Sequence, residues 1–119
     1  MNTRKTWFVF LGFLFVLQAT RGAEFFVSPT GNDANNGADW NTALATISHA
    51  VTLTTTNDTI LVSNGVYEVG EQILVDKAVS ITSLGGAQET IVRRTNATGR
   101  VFHINHADAI LDGFTVTQG

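Results

Sequence analysis

The 119-residue sequence has no cysteine, and Pro29 is its only proline. Without cysteine the chain forms no disulfide, so a small fold must be stabilised by a buried core or by stacked repeats. The scarcity of proline suits strands whose backbone N–H groups are all engaged in hydrogen bonds. Both features favour a β-rich protein with a continuous core.

Apolar runs long enough to cross a bilayer are also absent. The longest run, residues 7–17, covers about 11 residues, whereas a spanning helix needs roughly 20. It follows Arg4 and Lys5 and precedes small residues that end near Gly22. This order predicts a secretory signal peptide at residues 1–22, and therefore a secreted or cell-surface protein. An uncleaved membrane anchor stays open as an alternative, since Arg21 lies close to the predicted cut.

Basic residues are few once the predicted leader is removed. Four basic residues then face ten acidic ones, which argues against nucleic acid or an anionic membrane as a partner. We therefore expect no nucleic-acid binding, and no membrane contact after signal cleavage.

A polar segment and a helical pattern fill residues 23–57. Residues 30–37 are rich in Gly and Asn and predict a loop. Its oxygen-bearing side chains, with Asp33 and Asp39, could hold Ca²⁺, but their spacing matches no EF-hand, and Asx turns explain them as well. Residues 40–53 predict a helix, capped by Asn41 or Thr42.

Short apolar segments separated by Gly or Asn corners fill residues 58–119. The predicted strands are residues 59–62, 72–75, 79–82, 90–92, 101–104 and 109–116, and a further short strand begins after the turn at residues 63–65. Ile60, Ile81 and Phe102 recur every 20 to 22 residues, and Leu74, Val92 and Ile110 or Leu111 about every 18. A repeat of this size indicates a solenoid of stacked parallel coils. An antiparallel sandwich of short strands remains the alternative.

The order of motifs resembles that of a known family. Residues 26–37, Trp40 with residues 42–43, residues 58–62 and residues 64–67 together resemble the start of secreted right-handed parallel β-helix proteins of the pectate-lyase-like superfamily. Residues 109–119 resemble one of their repeated coils. The resemblance implies an all-β solenoid whose N-terminal coils are covered by a short capping α-helix. Asn57-Asp58 departs from the Gly-Asp that is usual in the family.

The resemblance leaves two classes of function open. One is an extracellular or cell-surface module that serves as a structural spacer or contacts carbohydrate. The other is the N-terminal part of a polysaccharide lyase or glycoside hydrolase whose active site lies beyond residue 119. No family catalytic motif matches this chain residue by residue, so we predict no catalytic residue. Since three coils are near the minimum for a solenoid, we expect downstream coils in a longer protein.

Few residues stand out as candidates for a site. Arg93 and Arg94 follow an apolar segment, and at least one should point outward, where it could bind the carboxylate of an acidic sugar. His103 and His106, near Asp108 and Asp112, converge on a metal only if a corner lies between them. We expect Ile81 in the core and a nearly neutral Arg94→Ala substitution.

Overall fold

Short parallel β-strands make up most of the regular secondary structure in the computed structural model, which describes residues 22–96 and 98–118. The predicted signal peptide lies outside the described residues, apart from Gly22. The strands within these residues are β1 (Glu24–Val27), β2 (Thr59–Val62), β3 (Gly65–Val69), β4 (Ile73–Val75), β5 (Ser80–Ser83), β6 (Thr90–Arg94), β7 (Phe102–Ile104), β8 (Ile110–Asp112) and β9 (Thr115–Thr117).

The strands form three parallel sheets. The first sheet has the order β1-β2-β5-β8, the second β3-β6-β9, and the third β4-β7. From β2 onward the chain passes through the first, second and third sheets in turn and then begins again. One such passage through the sheets is called a circuit. Strands that follow each other along the chain therefore lie in different sheets. Each strand pairs instead with a strand from the next circuit.

Alternate residues of each strand face a shared apolar interior. Ile60 pairs with Ile81 in the first sheet, and both side chains are fully buried. Tyr67 pairs with Val92 in the second sheet, and Ile73 with Phe102 in the third. The prediction that Ile81 belongs to the core is confirmed. The core residues on the strands alternate with more exposed neighbours, and residues of the helix and loops add to them. The whole core consists of Val27, Leu44, Ile47, Ala50, Val51, Ile60, Val62, Tyr67, Ile73, Val75, Val79, Ile81, Val92 and Val101.

The predicted spacing of 20 to 22 residues holds only from Ile60 to Ile81. Ile81 pairs with Leu111 rather than Phe102, and Phe102 lies in the third sheet. The second predicted series is also wrong, because Leu74 faces His103 while Val92 lies in the second sheet. The turns between strands differ in length, and parallel pairing requires only that the strands themselves stay in register.

The predicted helix is shorter than residues 40–53. α1 spans Ile47–Leu53, and Thr46 caps it by accepting a hydrogen bond from the His49 N–H. Residues Trp40–Thr42 form a separate 3₁₀ turn capped by Asp39, so the predicted caps Asn41 and Thr42 are wrong. Helical continuity is broken at Leu44, which forms a parallel bridge with Val27. No helix in the described ranges has the length and apolar character needed to cross a membrane.

α1 covers the side of the sheets where the circuits begin. Its residues contact β1, β2 and β4, and its buried face consists of Ile47, Ala50 and Val51. Lys77 caps its C-terminus, donating from Nζ to the carbonyl oxygens of Val51 at 2.9 Å and Thr54 at 2.8 Å. A cation at this end also complements the helix dipole.

The opposite side of the sheets is open within the described residues. Ile104 and Val116 face inward by register, yet they are 43% and 45% exposed. Their counterparts one circuit earlier, Val75 and Val92, are buried. The apolar interior therefore reaches solvent beside β7, β8 and β9.

Ile81→Asp should destabilise the fold by several kcal/mol, since it would place an unpaired carboxylate between Ile60 and Leu111. Ser80→Asp is the matched control, because Ser80 belongs to the outward-facing set of the same strand. Urea denaturation followed by circular dichroism measures the difference. Equal midpoints for the two variants would contradict the inward position of Ile81.

Candidate functional site

Arg93 lies on the outer face of the second sheet. Its neighbour Val92 is buried, so alternation along β6 places the Arg93 side chain outside. It pairs across the parallel ladder with Glu68 of β3, and Nη2 donates to Glu68 Oε1 in an ion pair. The side chains are 42% and 54% exposed, so this pair contributes little to stability.

Arg94 points to the other side of the same strand. It is only 8% exposed, and its guanidinium group organises the loop that follows β6. Nε and Nη2 donate to Asn96 Oδ1 at 3.1 and 2.9 Å, Nη2 to the Thr98 carbonyl at 2.8 Å, and Nη1 to the Arg100 carbonyl at 3.2 Å. These oxygens belong to neutral groups. The two predicted site residues therefore lie on opposite faces, and only Arg93 is placed to meet an external ligand.

The outer face around Arg93 consists of two rows of side chains. One row is Glu68, Arg93 and Thr117, and the other is Val66, Ile91 and Thr115. Neighbouring strands lie about 4.8 Å apart, which sets the step along each row. The face therefore offers charged, hydroxyl and apolar groups at a regular spacing.

Glu68 is the charged residue of this face that sequence reasoning missed. The alternation in β3 contained a signal, since a buried Tyr67 requires Glu68 to point outward. The pairing with Arg93, however, joins residues 25 positions apart. It depends on the register between circuits, which the varying turn lengths conceal.

A tight corner at the first residue of β3 sets the orientation of this strand. Gly65 has a φ of +148°, and a Cβ on it would lie 2.4 Å from Pro29 Cγ, so a larger residue would clash. Tyr67 then turns inward and donates from its hydroxyl to the Ser63 carbonyl oxygen at 2.8 Å. Burial raises the pKa of the Tyr67 phenol. This anchor holds β3 so that Val66 and Glu68 face out.

Asp58 links the segments that lead into β1 and β2, two neighbouring strands of the first sheet. Its carboxylate accepts hydrogen bonds from the backbone N–H groups of Thr55 at 2.7 Å and Ala23 at 2.8 Å, and from the Thr55 hydroxyl. The Thr55 backbone bond is the main reason why the pKa of Asp58 lies below its usual value; the Ala23 and Thr55 side-chain bonds and the charge of Lys77 add to it, while burial opposes it. Asp58 is thus a structural residue with a buried charge.

The polar segment proposed as a Ca²⁺ site is organised by its own hydrogen bonds. Asp33 accepts from the N–H groups of Ala45 at 2.9 Å and Thr46 at 3.0 Å, and from the Thr46 hydroxyl at 2.8 Å. The side-chain oxygens of Asn32 and Asn36 accept from backbone N–H groups two residues on, which is the Asx turn that the sequence offered as the alternative.

The histidines and their acidic neighbours lie apart from this polar segment. His103 is on β7 beside Leu74, and His106 Nδ1 accepts a hydrogen bond from the Asp108 N–H at 3.2 Å. Asp112 lies on β8 in the first sheet. Within residues 22–96 and 98–118, no three His, Asp or Glu side chains are grouped so that they could hold a metal ion.

Comparisons with known proteins give one distant structural likeness. No family model matches the chain, and no curated protein matches it. A solved structure described as a glycoside hydrolase is similar, with a TM-score of 0.46 and 23% identity. The match covers 60% of this chain and 14% of the chain of that protein.

Arg94→Ala should destabilise the protein by about 1–3 kcal/mol, because the loop would lose its hydrogen-bond donors and the side chain its packing. This replaces the sequence-based expectation of a nearly neutral change. Arg93→Ala removes the same charge from an exposed pair and should cost less than about 1 kcal/mol. Thermal unfolding of both variants provides the comparison, and equal losses would show that the Arg94 contacts stabilise the fold no more than the exposed ion pair of Arg93 does.

Asp58→Asn should cost about 1–2 kcal/mol at neutral pH through the weakened hydrogen bonds. The folded-state pKa is below the reference value of 3.8, so the stabilisation is present above that value and is lost as the pH falls through the folded pKa. The stability difference between wild type and variant should therefore shrink in acid. Denaturation measured from about pH 7 down to about pH 2 tests this; a constant difference would contradict the assignment.

Proposed function

We propose that the chain forms the first circuits of a right-handed parallel β-helix, which acts outside the cell as a structural module that contacts carbohydrate. The repeated order of the three parallel sheets supports the architecture. Parallel crossovers are right-handed in about 98% of cases, which supports the hand. The resemblance to the pectate-lyase-like superfamily agrees with both.

The outer face of the second sheet is the proposed carbohydrate-binding surface. A polysaccharide chain is long and repetitive, so it is bound best by a surface that repeats as well. Glu68, Arg93 and Thr117 supply donors and acceptors for hydroxyl or carboxylate groups, and Val66 and Ile91 supply apolar area for the C–H faces of sugar rings. Val66 is 48% exposed, so this apolar area is accessible.

Arg93 gives this face one position at which an acidic sugar could bind. Arg93 is the outward-facing cation of the two rows, and a guanidinium group can bind a carboxylate through two parallel hydrogen bonds. A sugar carboxylate would take the place of Glu68, and the exchange is inexpensive because the Arg93–Glu68 pair is exposed.

The proposed location rests on the leader-like order of residues 1–22. A charged start, a short apolar segment and small residues near the cut are the features by which export signals are recognised. An exported protein of this kind would meet extracellular or cell-surface glycans. Secretion of a reporter fused behind residues 1–23 would test this part separately.

Affinity electrophoresis of the purified protein in gels that contain polygalacturonate, with a neutral glucan as comparison, tests the function. We expect retardation by the acidic polymer, and Arg93→Ala should weaken it about tenfold because one charge-assisted contact is lost. Arg100→Ala, which removes an exposed cation outside the two rows, is the matched control. Lack of retardation by both polymers, or equal weakening by the two variants, would contradict the proposal.

A further inference from the structure

A cleft lies between the first strand of the second sheet and the segment that leads into α1. It has a volume of about 120 Å³, and its lining includes Pro29, Ala45, Thr46 and Ile47 on one side and Val66 and Glu68 on the other. One side of the cleft is thus the edge of a β-strand.

The backbone of β3 presents unpaired groups to this cleft. The Gly65 N–H donates to the Glu89 carbonyl oxygen at 2.9 Å, and the Val69 carbonyl oxygen accepts from the Thr95 N–H at 3.0 Å. These bonds lie on the β6 side, so the N–H and C=O groups of the alternate residues, Val66 and Glu68, point to the other side. Within the described part of the chain, these four groups form no hydrogen bond with another protein group.

The first sheet shows how such an edge can be completed. The Phe26 N–H donates to the Gly37 carbonyl oxygen at 2.9 Å, the Leu44 N–H to the Phe26 carbonyl oxygen at 2.8 Å, and the Ser28 N–H to the Leu44 carbonyl oxygen at 2.9 Å. Leu44 therefore lies in register with β1 like one residue of an additional parallel strand. The edge of β1 is satisfied by the chain itself.

The same segment cannot complete the second sheet. Directly after Leu44, the N–H groups of Ala45 and Thr46 donate to Asp33. Thr46 then caps α1 with its hydroxyl oxygen. Asp33 thus fixes the wall of the cleft that Ala45 and Thr46 form. The N–H groups of these two residues point to Asp33 and not to β3. The edge of β3 remains available to another molecule.

We propose that this cleft binds an extended peptide by adding one residue to the edge of β3, between Val66 and Glu68. The N–H of that residue donates to the Val66 carbonyl oxygen, and its carbonyl oxygen accepts from the Glu68 N–H, as Leu44 does between Phe26 and Ser28. The small volume requires a small residue at this position. The proposal does not depend on carbohydrate binding at the outer face.

Charge indicates which peptides fit. From Gly22 onward the chain has four basic and ten acidic residues. Of the basic ones, Arg94 is buried and Arg93 is paired with Glu68. Glu71 lies just after β3 on an exposed position, and Glu68, although it is paired with Arg93, has a side chain that is 54% exposed. A peptide with Lys or Arg on either side of its small residue therefore complements the rim of the cleft.

Fluorescence anisotropy with a labelled peptide, Lys-Val-Ala-Val-Lys, tests the proposal on the purified protein. We expect saturable binding, and a peptide N-methylated at its alanine should bind about tenfold more weakly, because the donor to the Val66 carbonyl is gone. This comparison leaves the protein unchanged. Equal affinity of the two peptides, or no binding of either, would overturn the proposal.

A second comparison changes the protein. Glu68→Pro removes the N–H of this edge, where proline is compatible with a strand, and should weaken binding about tenfold. Glu68→Gln keeps the N–H and should weaken it by no more than about threefold. Equal loss in the two variants would mean that charge alone attracts the peptide. A wild-type dimer in sedimentation that Glu68→Pro abolishes, without peptide binding, would assign the edge to a second copy. Either result would overturn the proposal.

Discussion

The structure depends on pairing between circuits. Strands of three to five residues cannot form stable hairpins alone, and from β2 onward consecutive strands belong to different sheets. Each strand acquires its hydrogen bonds from the strand one circuit away, in parallel register. The same register brings Ile60 against Ile81 and Tyr67 against Val92, so the backbone pairing also places the core side chains in contact. A change at an inward position therefore affects two circuits at once.

At the side where the circuits begin, two of the three sheets have a covered edge and one has an open edge. Leu44 completes the first sheet and α1 covers the third, while β3 of the second sheet borders the open cleft. A free strand edge invites pairing with other chains. The small cleft and the rigid wall held by Asp33 restrict what can pair there. Peptide binding at this edge depends mainly on backbone groups, while carbohydrate contact on the outer face depends on side chains; the Glu68 side chain takes part in both.

Much of the architecture was predictable, because alternation along a strand shows which residues face inward. Ile60 and Ile81 were assigned correctly from their spacing. Phe102 was not, since the loop held by Arg94 lengthens the turn before β7 without any periodic signal. The predicted helix was too long because Leu44 fits a helical pattern but pairs with Val27 in a parallel bridge. The inward position of Arg94 follows from its parity with Val92, yet a buried cation is rare enough to count against it. The edge of β3 could not be found from sequence, since it depends on where the cap segment turns away.

Backbone contacts between circuits test the central claim most directly. In a nuclear Overhauser spectrum of the labelled protein, parallel pairing predicts contacts between the amide and α protons of β2 and β5, with Ile60 opposite Ile81, and of β3 and β6, with Tyr67 opposite Val92. Strong contacts between α protons of consecutive strands, such as β2 and β3, would instead indicate antiparallel hairpins and would contradict the account.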